Sequence, residues 1–197
     1  MNATLASLKA SAADCRACDL WSRATRAVFG EGPAPAAMML IGEQPGDEED
    51  RSGRPFVGPA GRVLDRALTE AGIERADIYV TNVVKHFKWK PQGKRRIHDR
   101  PNRTEVAACH PWLASELEIV RPQVLVLLGA TAAHALLGQA FSVSRERGRD
   151  LLGTSLAPHV IATIHPSAIL RVPADADREV ALGHLRSDLS SASSLLQ

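Results

Sequence analysis

One histidine, His98, lies in the middle of a cationic stretch that reads GKRRIHDRP from residue 93 to residue 101. Imidazole is a competent nucleophile and general base near neutral pH, because its ordinary pKa is about 6.5. Gly93 begins the stretch and Pro101 ends it, as expected of a connecting loop. A basic loop by itself would only hold phosphate groups. The histidine inside it indicates chemistry as well as binding.

The basic residues of the chain are concentrated around this histidine. Residues 85–103 carry eight basic side chains and one acidic one, so this segment has a charge of +7 and the rest of the chain −5, within a net charge of +2. The eight are Lys85, Lys88, Lys90, Lys94, Arg95, Arg96, Arg100 and Arg103. A run of charge is most often a solvated surface. The interleaved Phe87 and Trp89 favour a polyanion, and nucleic acid is the predicted partner.

Three cysteines form a second group with recognisable chemistry. Cys15 and Cys18 make a C-x-x-C pair, and Cys109 lies far along the chain. This spacing suits zinc, a redox pair or an iron–sulfur cluster, although a redox pair would normally begin a helix after a strand. Both metal alternatives need a fourth ligand. His86 is the best candidate, because imidazole can replace thiolate, and His110 competes with it.

Length and composition describe an ordinary globular chain. With 197 residues, 45% of them hydrophobic and 23% charged, the sequence predicts one domain over residues 1–197. No apolar run approaches the length of a membrane span, and the N-terminus lacks the apolar core of a secretion signal. Together with the odd number of cysteines, this predicts a cytoplasmic protein. A monomer is expected, because a protein that scans nucleic acid needs no symmetry.

Apolar runs that alternate with helical patterns predict the elements that position these residues. The predicted strands are residues 37–42, 77–84, 122–129 and 158–166. The predicted helices are residues 3–13, 59–73, 103–120, 130–138 and a last one from residue 175, with Thr104 as the cap of the third helix and the Ser-rich residues 190–197 expected to fray. Residues 85–101 are read as a loop. The pattern predicts an α/β fold with three α/β/α layers around a central four-stranded parallel sheet.

Polar side chains follow the carboxyl ends of three predicted strands. They are Glu43, Gln44 and Asp47 after the first strand, Asn82 near the end of the second, and His165 and Ser167 after the fourth. Taken singly, each has an ordinary structural explanation, such as a turn cap or a satisfied buried amide. Parallel α/β sheets bind ligands beyond the carboxyl ends of their strands. The shared placement therefore predicts a crevice where a carboxylate, an amide and an imidazole meet beside His98.

Four motifs occur along the chain in the order CRAC, GEQPGDEEDRSGRPFVGPAGRVLDRAL, YVTNVVKHFKW and ATIHPSAILR. In this order they resemble the iron–sulfur uracil-DNA glycosylases called family 4, over residues 10–190. The insertion GKRRIH resembles the hallmark of the UdgX branch, whose members bind uracil-containing DNA and become covalently attached to it. Ordinary family 4 enzymes carry a cysteine where this sequence has His86, and UdgX-type proteins resemble it in having histidine there.

The resemblance implies a fold of the uracil-DNA glycosylase type, a role in DNA repair and a [4Fe–4S] cluster. The cluster ligands that it implies are Cys15, Cys18, His86 and Cys109. The substrate that the resemblance implies is uracil-containing DNA, either single- or double-stranded. A preference for single strands is expected, because flipping a base out of a single strand costs less than out of a duplex.

Uracil excision assigns a role to each residue at the strand ends. The flipped base must be read, stacked and stabilised as it leaves with negative charge. Asn82 pairs with O4 and N3–H of uracil and rejects cytosine, Phe56 stacks on the base, and the backbone from Gln44 to Asp47 donates, with His165, to the uracil oxygens. The predicted phosphate contacts are Lys94, Arg95, Arg96, Ser167 and Arg171.

The leading hypothesis gives His98 the place of the attacking water. A well-placed imidazole would attack C1′ of the deoxyribose and stay joined to it, while Glu43 accepts the ring proton or fixes the tautomer. His98, Glu43 and His165 are then the catalytic residues, and the protein acts once per lesion. One alternative is ordinary hydrolysis to a free abasic site, with His98 only binding phosphate. Another is a non-catalytic nucleic-acid-binding module with a structural metal.

Overall fold

The chain forms a twisted parallel sheet covered by helices on both faces. The computed structural model describes residues 4–196. The four sheet strands are β1 Met38–Gly42, β2 Ile78–Asn82, β5 Val124–Leu128 and β6 His159–Thr163, in the spatial order β2-β1-β5-β6. All three neighbouring pairs are parallel. The predicted three-layer α/β/α fold with a central four-stranded parallel sheet is confirmed.

Eight α-helices and two short 3-10 helices accompany the sheet within residues 4–196. The α-helices are α1 Leu5–Ala13, α2 Asp47–Ser52, α3 Pro59–Glu70, α4 Arg103–Val120, α5 Ala130–Leu137, α6 Val143–Glu146, α7 Pro166–Leu170 and α8 Asp175–Ser194. The 3-10 helices span Asp19–Ser22 and Arg75–Asp77. No helix in this part of the chain is long and apolar enough to cross a membrane.

Each strand of the sheet is buried on both faces, which explains the continuous apolar runs in the sequence. In β1, Leu40 joins the core that contains Leu64 of α3 and Leu185 of α8. Its neighbour Ile41 points the other way and joins the core that contains Leu113 of α4. All five side chains have no exposed surface. The two cores fix the sheet between its helix layers, and so fix where the strands end.

The segment predicted as a loop before α4 contains a hairpin. Strands β3 Trp89–Gln92 and β4 Arg95–His98 pair antiparallel, with Trp89 opposite His98 and Gly93 in the turn at φ 58°. Strand alternation places Arg96 and His98 on one face of β4. The loop prediction was wrong because the exposed hairpin has charged residues where a sheet strand would have apolar ones.

The start of α4 also differs from the sequence prediction. Asn102, and not Thr104, is the N-cap residue: its Oδ1 accepts from the backbone N–H of Glu105 at 2.9 Å. The Glu105 carboxylate in turn accepts from the backbone N–H of Asn102 at 2.6 Å, which completes a capping box. The helix therefore begins earlier than a Thr104 cap would allow, directly after the hairpin and Pro101.

The C-terminal serines belong to the last helix. Helix α8 continues to Ser194, and Ala192 within the Ser-rich stretch has no exposed surface because it packs into the core that α3 and α8 share. The fraying expected for residues 190–197 stays a prediction, and Gln197 lies outside the described residues.

Gly61 should be intolerant of any side chain. A Cβ at this position in α3 would lie 1.9 Å from the backbone oxygen of Phe56, so Gly61→Ala must push the helix away from that turn. We expect the free energy of unfolding to fall by about 1–3 kcal/mol in urea denaturation. Gly183 in α8 has no neighbouring atom within 4 Å of such a Cβ and is the matched control. Gly183→Ala should raise stability by about 0.5–1 kcal/mol, and equal losses for both variants would contradict the close approach at Gly61.

Candidate active site

A cleft of about 820 Å³ opens beyond the carboxyl ends of the sheet strands. Nine of the residues that the sequence analysis singled out line it: Glu43, Gln44, Asp47, Phe56, Asn82, His98, His165, Ser167 and Arg171. The two cores place these strand ends at one edge, as the rule for parallel sheets requires. Lys94, Arg95 and Arg96 of the hairpin do not line the cleft.

Two buried polar atoms in the cleft have no hydrogen-bond partner within the described residues. They are Oδ1 of Asn82, at the end of β2, and Nε2 of His165, two residues after the end of β6. Leaving a buried polar atom unpaired costs about 1–3 kcal/mol. Because both residues line the same cleft, a polar ligand that pairs with both atoms accounts for this cost.

His165 presents a hydrogen-bond donor to the cleft. Its Nδ1 accepts from the backbone N–H of Ser167 at 3.1 Å, so in the neutral ring the proton must sit on Nε2. Burial lowers the pKa of His165 to about 4, although the charge of Glu43 opposes this. The ring is therefore neutral at pH 7. Nε2–H is a fixed, uncharged donor for which the described residues provide no acceptor.

Phe56 adopts a strained backbone beside this donor. Its φ of 54° is in the left-handed region, which residues other than glycine rarely occupy and which is frequent at functional sites. The ring lies 6.2 Å from that of His165. Gly42 makes this arrangement possible, because a Cβ there would lie 2.6 Å from Cζ of Phe56 and 2.5 Å from Oδ1 of Asn82. An aromatic ring and an amide are thus held side by side in the cleft.

His98 and Glu43 form a pair at the mouth of the cleft. Nε2 of His98 lies 3.1 Å from Oε1 of Glu43, and the imidazole is half exposed. Burial alone would raise the pKa of Glu43, but hydrogen bonds from His98 and Thr131 hold it below its usual range. The carboxylate is therefore ionised and accepts a hydrogen bond from Nε2. In that tautomer the lone pair of the neutral imidazole is on Nδ1.

Thr131 and Arg100 hold this carboxylate, and neither was predicted as a site residue from the sequence. The hydroxyl of Thr131, at the start of α5, donates to Oε2 of Glu43. Arg100 donates from Nε to the Thr131 hydroxyl at 3.1 Å, and its Nε lies 3.9 Å from Oε2 of Glu43. The position of Thr131 soon after the third sheet strand was the available signal, since the same strand-end rule selected the other residues.

The side chain of Gln44 has a structural role in addition to the role predicted for its backbone. Its side-chain Nε2 donates to the backbone oxygens of Lys88 and Asp99, both at 3.1 Å. Its Oε1 accepts from the backbone N–H of Lys88 at 3.2 Å. These residues flank the two hairpin strands, so the Gln44 side chain joins the base of the hairpin to the end of β1. Only its backbone is free to face the cleft.

Arg96 faces the protein body and not the solvent. It donates to Asp47 at 2.5 Å and to Asp50 at 2.6 Å, and its guanidinium lies 5.4 Å from the centre of the Phe87 ring. Asp50 is fully buried and also accepts from the backbone N–H of Thr25. Arg96, which the sequence predicts as a phosphate contact, is thus paired inside the protein, and this pairing holds the hairpin against α2. The neighbouring Lys94 and Arg95 are exposed.

Five of the eight basic side chains of residues 85–103 lie within 4.0 Å of a carboxylate. Lys85 is 1% exposed and bonds to Glu116, so it is no part of a solvated basic surface. Other pairs are Lys88 with Glu105 and Lys90 with Asp99. The count of +7 from the sequence therefore overstates what a polyanion meets. Lys94 and Arg95 at the hairpin turn are exposed cations without an ion-pair partner in the described part of the chain.

Comparison with known proteins agrees with this geometry. The family model described as the uracil-DNA glycosylase superfamily matches residues 29–188. A type-4 uracil-DNA glycosylase of Thermotoga maritima is 40% identical over 186 residues, which cover 93% of this chain and 90% of the relative. The chain belongs to the uracil-DNA glycosylase superfamily.

Two further relatives in this superfamily allow the type-4 and type-5 proteins to be compared. A type-4 uracil-DNA glycosylase of Pyrobaculum aerophilum is 38% identical over 167 residues, 82% of each chain. A type-5 uracil-DNA glycosylase of the same organism is 29% identical over 180 residues, 84% of this chain and 76% of the relative. The similarity is thus greater to the type-4 proteins, in line with the family 4 resemblance of the motifs.

The three cysteines of this superfamily member lie close enough to influence one another. Burial, opposed by Lys85 and reinforced by the nearby thiols of Cys18 and Cys15, raises the pKa of Cys109 to about 11. Sγ of Cys109 accepts from the backbone N–H of Lys85 at 3.2 Å, and Sγ of Cys15 accepts from Trp112 Nε1 at 3.2 Å. Within residues 4–196, no three His, Cys, Asp or Glu side chains converge tightly enough for a single metal ion.

His86 is the fourth donor that the sequence predicts for a metal site. It is buried, directly follows the residue whose backbone bonds to Cys109, and makes no side-chain hydrogen bond in the part of the chain that the structure describes. Burial lowers its pKa, so the imidazole is neutral at pH 7. Spaced thiols with N–H···S bonds and an unpaired neutral imidazole fit the donor chemistry of an iron–sulfur cluster, which is wider than one ion.

Removing the Arg96 side chain should release the hairpin. Arg96→Met leaves Asp50 buried with one partner fewer, and we expect the free energy of unfolding to fall on the order of 3 kcal/mol. Hydrogen exchange of residues 88–100, followed by mass spectrometry, should become faster. Arg95→Met is the matched control, because Arg95 is exposed and bonds to no carboxylate within residues 4–196. Similar exchange in both variants would contradict the anchoring role of Arg96.

Proposed function

We propose that this protein removes uracil from DNA by cleaving the N-glycosidic bond, with water as the second reactant and a free abasic site as the product. The observation that carries the proposal is the pair of unpartnered polar atoms, Asn82 Oδ1 and His165 Nε2, in one cleft of the described chain. The similarity to type-4 uracil-DNA glycosylases over nearly the whole chain supports the hydrolytic outcome.

Asn82 would read the base. Its amide offers one acceptor, Oδ1, and one donor, Nδ2, which match N3–H and O4 of uracil. Cytosine presents the reverse pattern at those two positions. The acceptor of the buried amide would then face an acceptor, and its donor would face a donor. Gly42 and the strained turn at Phe56 keep the amide edge next to an aromatic ring. The ring of Phe56 is available to stack on the flipped base.

His165 would stabilise the departing base. Cleavage of the glycosidic bond leaves negative charge on uracil, and a fixed donor aimed at that charge lowers the barrier. The neutral ring with its proton on Nε2 provides such a donor. Backbone N–H groups between Gln44 and Asp47 would add donors on the other side of the base.

Glu43 would act on the sugar. Its carboxylate is ionised, because hydrogen bonds from His98 and Thr131 outweigh the effect of burial on its pKa. Negative charge next to C1′ stabilises the cationic sugar that forms as uracil leaves. The same oxygen that bonds to His98 is able to hold and deprotonate an attacking water.

A covalent product with His98 is a second candidate outcome. It is favoured by the geometry of His98, which is half exposed at the cleft, 3.1 Å from Glu43, on a hairpin anchored by Arg96 and Gln44. In this reaction the lone pair of the ring forms the nitrogen–C1′ bond as the uracil–C1′ bond breaks. The proton on the opposite ring nitrogen passes to Glu43, and uracil leaves with the bonding electrons. The similarity of GKRRIH to the UdgX hallmark supports this outcome.

Phosphate contacts would come from two places. Lys94 and Arg95 at the hairpin turn are exposed, and Arg171 lies beside Ser167 in the lining of the cleft, Nη1 to Oγ 3.3 Å. Cations at both places would hold the strand on either side of a flipped nucleotide. Arg96 is not included, because its charge is neutralised by Asp47 and Asp50.

We further propose that Cys15, Cys18, His86 and Cys109 hold a [4Fe–4S] cluster. The donor chemistry described above supports it, as does the family 4 resemblance. A bound cluster would supply structural cross-linking rather than reaction chemistry. The four residues would join the segment after α1 to α4 and to the chain that leads into the hairpin.

Replacing Asn82 should weaken uracil excision. In Asn82→Ala both groups that pair with uracil are lost, and uracil excision should weaken by about 1–3 kcal/mol, the usual contribution of a two-bond base contact. The measurement is kcat/KM on a uracil-containing oligonucleotide, with binding to an abasic-site oligonucleotide as the control. Excision as fast as in the parent would contradict the assignment of Asn82.

A denaturing gel with labelled uracil-containing oligonucleotide distinguishes the two outcomes. Hydrolysis predicts no protein band that carries label, in the parent or in His98→Ser. Attack by His98 predicts a heat- and detergent-stable labelled band in the parent, and its loss in His98→Ser with uracil release retained because water enters. A stable band that persists in His98→Ser would mean that another residue is the nucleophile.

Cluster binding has a direct test in the purified protein. We expect a brown protein with broad visible absorbance and four irons per chain, as a [4Fe–4S] cluster requires. His110→Ala is the matched control, since His110 competes with His86 in the sequence but is exposed. Iron content should fall in His86→Ala and stay unchanged in His110→Ala. A colourless folded protein with stoichiometric zinc would overturn the proposal.

A further inference from the structure

Lys85 makes an unusual set of internal contacts for a lysine. Its ammonium group is buried and donates to three acceptors: Glu116 at 2.5 Å, the hydroxyl of Thr81 at 2.8 Å and the backbone oxygen of Asn82 at 2.7 Å. Three acceptors use all three protons of the group. The third contact links Lys85 directly to the main chain of the residue proposed to read uracil.

Glu116, the ion-pair partner of Lys85, also makes several internal hydrogen bonds. Glu116 of α4 has no exposed surface, and its Oε1 accepts from the backbone N–H of Gly30 at 3.1 Å and from the Tyr79 hydroxyl at 2.8 Å. The Thr81 hydroxyl also donates to Glu116 at 2.9 Å. Every polar group of the network therefore has a partner, which a buried ion pair requires in order to be tolerated.

Stability alone gives a weak reason for such a network. Taking two charges out of water is costly, and replacing a buried ion pair by apolar side chains is often neutral or stabilising. What the ion pair does supply is geometry, because an ammonium with three fixed acceptors sets the position of each of them. One of those acceptors is the carbonyl of Asn82.

The main chain of Lys85 is fixed as well. Its backbone N–H donates to Sγ of Cys109 at 3.2 Å, and its backbone oxygen accepts from the N–H of Val28 at 2.7 Å. Between Asn82 and Lys85 the chain is tied to the end of β1, since Val83 N–H donates to the Gly42 oxygen at 2.9 Å. The main chain of Lys85 is thus fixed next to Cys109, and its side chain folds back to the backbone oxygen of Asn82, three residues earlier.

We propose that Lys85, with Glu116, is a positioning residue for base recognition: it holds the main chain of Asn82 so that the Asn82 amide faces the flipped base. The inference rests on the proposed role of Asn82. It adds a specificity-determining contact that lies outside the cleft, and it connects the cysteine site mechanically to the base-reading amide. Lys85 touches no substrate atom.

The test uses a double variant that removes both charges at once. Lys85→Met with Glu116→Gln keeps the side-chain volumes close to the originals, and the oxygen of the new amide still accepts from Gly30 and Tyr79. We expect the single-turnover rate of uracil excision to fall roughly tenfold to hundredfold, as when a reactive group is misplaced by about 1 Å. Affinity for an oligonucleotide with a tetrahydrofuran abasic analogue should stay unchanged, since that ligand has no base to read.

Tyr79→Phe is the matched control within the same network. It removes the 2.8 Å hydrogen bond to Glu116 but leaves the contact between Lys85 and Asn82. We expect a lower melting temperature with a parental excision rate. If the double variant folds and excises uracil at the parental rate while Asn82→Ala is impaired, the positioning role of Lys85 is wrong.

The remaining outcomes are also decisive. If Asn82→Ala excises uracil as fast as the parent, the assignment of Asn82 fails, and the inference fails with it. If the double variant weakens binding of the abasic analogue as much as it slows excision, the network supports the fold in general and the proposal is overturned. Should the double variant not fold, Lys85→Leu with Glu116→Leu is the second variant, and the same criteria apply to it.

Discussion

The candidate active site depends on two polar atoms that are buried and have no hydrogen-bond partner among the described residues. Oδ1 of Asn82 and Nε2 of His165 lie at the ends of two different strands, and each costs free energy as long as no ligand pairs with it. Holding them in place requires a rigid frame. The sheet supplies it, because each strand is packed from both faces by cores of buried side chains. Gly42 then permits the close approach of Asn82 and Phe56.

The hairpin likewise holds His98 in a fixed position. Its inward side chains, Arg96 and His98, both reach carboxylates of the body: Arg96 bonds to Asp47 and Asp50, and His98 to Glu43. The Gln44 side chain joins its base to the end of β1. A segment rich in positive charge is therefore oriented by the acids beneath it. The imidazole reaches the cleft because its neighbour on the same face is anchored.

The sequence was sufficient to predict the sheet and the cleft, for a physical reason. Strands buried on both faces are largely apolar, so each appears in the sequence as a continuous apolar run. Glu43, Asn82 and His165 were selected because they lie at or just beyond the carboxyl ends of these runs, and all three line the cleft. The tautomer of His165 was beyond sequence reasoning, because it depends on a hydrogen bond from the backbone of Ser167.

Residues 85–103 show where the sequence was insufficient. A lysine is almost always exposed, so nothing local marks Lys85 as buried; its partner Glu116 is 31 residues further along the chain. The hairpin was read as a loop because its charged strands hide the alternation that marks a half-buried strand. Arg96 was read as a phosphate contact because its two acidic partners lie in α2, far away in sequence. In each case long-range pairing of charge decided the structure.

If the cleft recognises and releases uracil, the identity of the base released from DNA tests this most directly. The measurement uses two single-stranded oligonucleotides that differ at one position, uracil or cytosine, and mass spectrometry of the free base after incubation with the purified protein. We expect uracil to be released and cytosine not to be released, because cytosine presents the reversed pattern to Asn82. Release of cytosine at a rate similar to that of uracil, or no release of uracil by folded protein, would contradict this expectation.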